Sequence, residues 1–107
     1  MNPKPTPDEV YEAYLADIKD KNQDYRTVTI CDLYFQVKKR HKGYKLKIFR
    51  EMQADMYLNW PNWNGYRVHL MKGRLMGECT YYKKDRDTIH PIGRWKFIEM
   101  TPLEEVQ

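Results

Sequence analysis

Residues 30–49 constrain the fold more than any other part of the chain, because the segment fits either two helices or one β-hairpin. As helices, Thr29 is an N-cap, Asp32 occupies the third helical position, and Gly43 suits a helix end. As strands, apolar and polar residues alternate on both sides of "RHKG". Since "RHKG" is not a favoured two-residue hairpin turn, we favour two helices over the hairpin.

A helix before this segment is predicted from "TPDEVYEAYLADIKD". Thr6 is its N-cap, Pro7 occupies the first helical position, and Glu9 completes a capping box. Apolar residues recur at helical spacing behind this start. We therefore expect a helix over residues 7–21.

The third helix is predicted over residues 44–59, ending where Pro61 disfavours helix at Trp60. Its apolar residues are expected to face inward, with cations outward. The inward set is Leu46, Phe49, Met52 and Met56, and the outward set is Lys45, Lys47 and Arg50.

The remaining sequence favours strands, because aromatic and β-branched residues are grouped in "GYRVHLM", "ECTYYKK" and "GRWKFIEM". We predict an α+β fold in one domain over residues 1–107, since a chain of this length buries one modest core. The expected parts are a helical part over 7–58 that contains a helix-turn-helix, a three-stranded antiparallel meander within 65–100, and a frayed tail over 101–107.

Positive charge is concentrated in "VKKRHKGYKLKIFR", residues 37–50, which holds seven Lys and Arg and no acid. Residues 1–25, by contrast, carry six acids against three bases. Lys and Arg on one helical surface can neutralise phosphates and release counterions. Segregated charge of this kind favours a polyanionic partner.

The order of elements resembles the winged helix-turn-helix superfamily: a first helix, a short "RTVT" strand, two helices joined by "HKGY", and then hairpin strands. The resemblance covers residues 7–84 and implies that the third helix enters the DNA major groove while a wing touches the backbone or minor groove. By position, Lys45, Lys47 and Arg50 then belong to the recognition helix, and Lys72 and Arg74 to the wing. With the neighbouring cations and Gln53, the candidate nucleic-acid-binding residues are Lys38, Lys39, Arg40, Lys42, Lys45, Lys47, Arg50, Gln53, Lys72 and Arg74.

The leading functional prediction is therefore a small, cytoplasmic, non-enzymatic transcription regulator that binds double-stranded DNA as a monomer or a homodimer. The sequence contains no GxGxxG, GxSxG or P-loop signature, so we expect no catalytic residues. The histidines and cysteines lack metal-ligand spacing, and we expect no metal and no cofactor. No apolar run is long enough to span a membrane.

Two other functions fit the sequence. A viral or mobile-element protein could bind and inhibit a host protein, such as a polymerase or a defence nuclease, because aromatic residues and Arg dominate protein interfaces. An RNA-binding sheet face is the other option, and it is based on Tyr81, Tyr82, Lys83, Lys84, Trp95 and Lys96. Trp60 and Trp63 could stack on a base, a sugar or a partner, although Trp beside a helix end more often covers a core.

Overall fold

Three helices precede most of the strands of the fold. The structure is a computed structural model that describes residues 5–71, 79–85, 88–95 and 97–106, with side chains for 5–71 and 97–106. The α+β prediction is confirmed. In chain order the elements are α1 (Pro7–Asp20), β1 (Val28–Thr29), α2 (Ile30–Arg40), α3 (Leu46–Leu58), β2 (Asn62–Trp63), β3 (Tyr66–Met71), β4 (Cys79–Asp85), β5 (Thr88–Trp95), β6 (Phe97–Pro102) and a 3₁₀ turn (Leu103–Glu105).

Local capping explains where α1 and α2 begin. The backbone N–H of Glu9 donates to Thr6 Oγ1, and the Thr6 N–H donates to the Glu9 carboxylate, so the predicted capping box is present. Thr29 Oγ1 accepts from the backbone N–H of Asp32 at 3.1 Å. Both caps accept hydrogen bonds from backbone N–H groups that a helix start otherwise leaves without partners.

The segment that allowed two interpretations forms two helices, and the hairpin alternative is wrong. Helix α2 ends at Arg40, and Gly43 adopts φ +78°, a left-handed conformation that glycine reaches without a Cβ clash. Helix α3 begins at Leu46, two residues later than predicted, and ends at Leu58.

The strands pair differently from the predicted meander. Strand β6 lies between β1 and β3 in a four-stranded sheet of order β1-β6-β3-β2, whereas β4 and β5 form a separate antiparallel pair. The prediction of three consecutive paired strands within 65–100 is therefore wrong. The segment "GRWKFIEM" contributes to both sheets, and its second half pairs with a strand that is distant in sequence.

The core lies between the helices and the inner face of the four-stranded sheet. Strand β3 alternates, with Tyr66, Val68 and Leu70 buried and Arg67 and His69 exposed. The largest fully buried side chains come from all three helices and from β1, β3 and β6; they are Tyr14, Phe49, Ile30, Leu33, Met56, Ile98, Met100, Val10, Val28, Val37 and Val68.

The predicted frayed tail is wrong for residues 101–105. Thr101 and Pro102 continue β6 by pairing with Arg67 and Tyr66. The Leu103 N–H then donates to the Gly65 carbonyl at 2.9 Å. The last part of the chain is thus attached to the β2–β3 turn.

Within the described residues, no helix has the length and apolar character needed to cross a bilayer.

Candidate nucleic-acid interface

Seven cations lie on the last turn of α2, the connecting turn and the first turns of α3. All seven are exposed, and we call them the basic surface: Lys38, Lys39, Arg40, Lys42, Lys45, Lys47 and Arg50. Lys45, Lys47 and Arg50 face outward as predicted. Two consecutive helices therefore present positive charge at their junction.

Aromatic side chains hold the two helices together beneath this charge. The Tyr34 ring of α2 lies 5.9 Å from the Tyr44 ring and 5.1 Å from the Phe49 ring of α3, measured between centroids. Lys38 Nζ lies 5.8 Å from the Tyr34 centroid, which is within cation–π range. The Tyr44 hydroxyl is buried, and burial raises its pKa. Packing of these rings fixes the end of α2 against the start of α3.

Most of the basic surface has no carboxylate partner in the described part of the chain. No salt bridge to a described residue involves Lys38, Lys39, Lys42, Lys45 or Lys47. Arg40 differs, since its Nη1 donates to the Gln36 carbonyl and to Gln36 Oε1, at 2.8 and 3.0 Å. Arg40 is therefore partly engaged inside the protein.

The helix dipole stabilises the cations at the end of α2 and opposes those at the start of α3. Lys38, Lys39 and Arg40 stand in the last turn of α2, where cations are stabilised by the negative end of the helix dipole. Lys45 and Lys47 stand at the start of α3, which is the positive end. Lys45 is the N-cap and makes no capping hydrogen bond, because an ammonium group has no acceptor. The first turn of α3 also lacks an acid.

Charges on the other side of α2 are paired with one another. Asp17, only 3% exposed, accepts from Lys21 Nζ, which also donates to Asp32. Gln36 Nε2 donates to Asp17 and Asp20, at 3.2 and 2.9 Å. Burial raises the pKa of Asp32, but its interactions with Lys21 and Thr29 outweigh burial and hold the pKa below the ordinary value of 3.8. We call this group the α1–α2 network.

A single acid approaches the basic surface among the salt bridges of the described residues. His41 Nε2 lies 3.4 Å from Glu9 Oε2. The hydrogen bond from the Thr6 backbone lowers the pKa of Glu9, and His41 adds to this effect. Glu9 therefore contacts the turn through an imidazole, and no salt bridge joins it to a described Lys of the basic surface.

Two predicted orientations in α3 are wrong. Gln53, a candidate for base contact, is 2% exposed because it stands four residues after buried Phe49 and next to buried Met52. Leu46, expected inside, is 43% exposed because it is the first helical residue and precedes the buried stripe. Gln53 is therefore removed from the candidate site.

The acidic residue that follows in α3 has a structural role. Asp55 accepts a hydrogen bond from Trp63 Nε1 at 2.9 Å and another from Asn59 Nδ2 at 3.2 Å. Trp63 is buried, as expected for a Trp that covers a core, whereas Trp60 is 52% exposed. Trp60 lines a shallow cleft of about 380 Å³ with Pro61, Arg67, Val68 and His69.

Several predicted contacts lie outside the residues whose side chains are described. These are the wing candidates Lys72 and Arg74 and the proposed RNA-binding face, Tyr81, Tyr82, Lys83, Lys84, Trp95 and Lys96. Backbone pairing places residues 79–85 and 88–95 in the β4–β5 pair, and β4 runs alongside α3.

One exposed residue beside the basic surface was not among the sequence candidates. Phe35 of α2 is 55% exposed. The only sequence signal is its place in α2, one position beyond Tyr34, whose ring packs on Phe49. An aromatic side chain there was consistent with partial burial beside Tyr34, so the pattern alone did not mark it.

Comparisons with family models, curated proteins and solved structures found no match to this chain. Within the described residues, no group of three or more His, Cys, Asp or Glu side chains is placed to hold a metal ion.

Proposed function

We propose that this protein binds nucleic acid through the basic surface, and that it acts as a DNA-binding regulator. The observation that supports this most is the placement of Lys45 and Lys47 at the uncapped start of α3. Cations at this end oppose the helix dipole, and they lack salt bridges to described carboxylates. A bound phosphate would be stabilised both by these ammonium groups and by the helix start.

A purely structural role accounts for only part of the basic surface. Lys38 and Lys39 stabilise the end of α2 without any ligand. The same explanation fails for Lys45 and Lys47, since a Ser, Asp or Asn at the start of α3 would stabilise the helix more. A polyanionic ligand gives these two positions a physical reason.

The order of elements also supports the proposed resemblance to winged helix-turn-helix proteins. A short strand follows α1, the helix pair α2–α3 comes next, and antiparallel β3 and β6 follow. The connection between β3 and β6 contains the β4–β5 pair, and this is the segment that we propose as the wing. In this interpretation α3 supplies the groove contacts, and Arg50 is the candidate for reading a base.

Titration of a labelled DNA duplex at increasing salt tests the proposal. If five or so phosphates are neutralised, the logarithm of the association constant falls against the logarithm of salt with a slope of about −4.5. Changing Lys45, Lys47 and Arg50 to Gln lowers affinity and makes the slope shallower by about one per lost contact. Absence of binding at low salt would refute the proposal.

A Lys19→Gln variant is the matched control. Lys19 is an exposed cation near the C-terminal end of α1, ten residues beyond Glu9, which contacts the α2–α3 turn. Ten helical residues span about 15 Å, so Lys19 lies well away from that contact. We expect its affinity and salt slope to match those of the wild type.

A second candidate function, binding to a host protein, is favoured by a different surface. Tyr57, Leu58 and Trp60 are all exposed near the end of α3. Exposed apolar side chains grouped in this way are typical of protein interfaces. Capture of a stoichiometric protein from nuclease-treated host lysate, lost on changing Leu58 and Trp60 to Ser, would favour this function over the first.

A further inference from the structure

Phe35 places an exposed aromatic ring beside the basic surface. It precedes Lys38 by three residues and Lys39 by four, so the three side chains lie on neighbouring parts of the α2 surface. The ring is 55% exposed, although burial is the favourable state for Phe. A partner for this region must therefore offer an apolar face close to negative charge.

The ring is also held in place. Its centroid lies 5.4 Å from that of Tyr34, at an interplanar angle of 56°. Tyr34 in turn packs on Phe49 of the core. A ring supported in this way loses little conformational freedom when a ligand covers it. The support favours a flat ligand that stacks on the exposed side.

Charge discriminates between the possible partners. A second copy of the chain would bring two basic surfaces together, and like charges would repel. A nucleotide offers a flat apolar base and an anionic phosphate in one unit, which suits an aromatic ring beside two ammonium groups. In an intact duplex the base faces are covered by their neighbours, so Phe35 could stack only on a base that has left its stack.

We propose that Phe35 stacks on an unpaired base, so that the basic surface binds nucleic acid containing an unpaired nucleotide more tightly than an uninterrupted duplex. This inference rests on the proposed nucleic-acid binding and names its preferred substrate class. The Lys side chains supply the affinity that is common to all these ligands, and Phe35 supplies the preference.

Fluorescence anisotropy with three labelled probes of one sequence tests the inference: a duplex, the same duplex with a one-nucleotide bulge, and a single strand. We expect wild-type protein to bind the bulged duplex about tenfold more tightly than the intact duplex. Phe35→Ala and Phe35→Leu should reduce this ratio to within about twofold of one, whereas Phe35→Trp should retain it. Circular dichroism establishes that each variant is folded.

Tyr25→Ala is the matched control, because Tyr25 is an exposed aromatic residue outside the basic surface; its ratio should equal that of the wild type. Equal wild-type affinity for bulged and intact duplex, or a folded Phe35→Ala that keeps the preference, would overturn the inference and leave the proposed function standing. Absence of binding to every probe would overturn both. Tight binding of an acidic amphipathic peptide, with no preference among the nucleic acids, would assign Phe35 to a protein partner instead.

Discussion

The start of α2 and the start of α3 solve the same physical problem differently. At α2, Thr29 caps the helix, Asp32 stands in the first turn, and Lys21 pairs with that acid. At α3, Lys45 occupies the N-cap position without capping, and Lys47 adds a second cation to the same positive end. The residues at the start of α2 stabilise its first turn, whereas those at the start of α3 do not.

The contrast shows where the sequence departs from what stability alone favours. Local preferences agree with the fold through α1 and α2, as expected for a chain that folds to one structure. They disagree at the start of α3, and departures of this kind are concentrated at functional sites. The contrast supports the proposal that the α2–α3 junction is a binding surface and that the α1–α2 network is structural support.

The largest expected effect comes from breaking the α1–α2 network. Lys21→Met leaves the buried carboxylate of Asp17 without its cation and removes the partner of Asp32. Because Lys21 is 41% exposed and its charge is partly screened, we expect a loss of about 1–2 kcal/mol in the free energy of unfolding. Urea denaturation measures it, with Lys19→Met as a control expected to change stability by about 0.5 kcal/mol or less. If Lys21→Met leaves the free energy of unfolding unchanged, the α1–α2 network does not stabilise the fold.

Next comes the comparison of the two N-caps. Thr29→Val keeps the side-chain shape but removes the oxygen that accepts from the Asp32 N–H, so we expect a loss of about 1 kcal/mol. Thr29→Ser should retain most of the stability. Lys45→Ala, at the matching position of α3, should cost no more than a few tenths of a kcal/mol, since no cap is lost there. Equal costs at the two positions would contradict the contrast.

The smallest effect concerns pH. The pKa of Asp32 lies below its ordinary value of 3.8 in the folded protein, so its contribution is present above that value and is lost as pH falls through the folded pKa. Asp32→Asn should therefore lower stability near pH 7 by a few tenths of a kcal/mol, after allowance for solvent screening. The difference should shrink as pH falls through the folded pKa, because the carboxyl is then protonated in both states. Asp24→Asn serves as the exposed control, and a difference that persists in acid would argue against this account of Asp32.

Features that depend on residues close together in the sequence are those predicted correctly. The Thr6 and Thr29 caps, the starts of α1 and α2 and the outward direction of Lys47 follow from residues a few positions apart. The prediction for Gln53 was wrong, since polarity suggested exposure while position on the helix determined burial.

Sheet pairing could not be predicted from the sequence, because it depends on contacts between residues that are distant along the chain. Strand β6 pairs with both β1 and β3, and these partners are far from it along the chain. Alternation within a strand indicates which side is buried but does not specify the neighbour. The exposure of Phe35 depends likewise on how α2 packs against other elements.

Denaturation of wild type and Lys45→Asp, each with and without a DNA duplex, tests the central claim most directly. Without DNA, the variant should be more stable by about 0.5–1 kcal/mol, because Asp caps α3 and suits its positive end. With the duplex at a concentration well above its dissociation constant for wild type, wild type should be stabilised more and the order should reverse. If the variant is less stable without DNA, or if the duplex stabilises both proteins equally, the start of α3 is not a binding site held at the expense of helix stability.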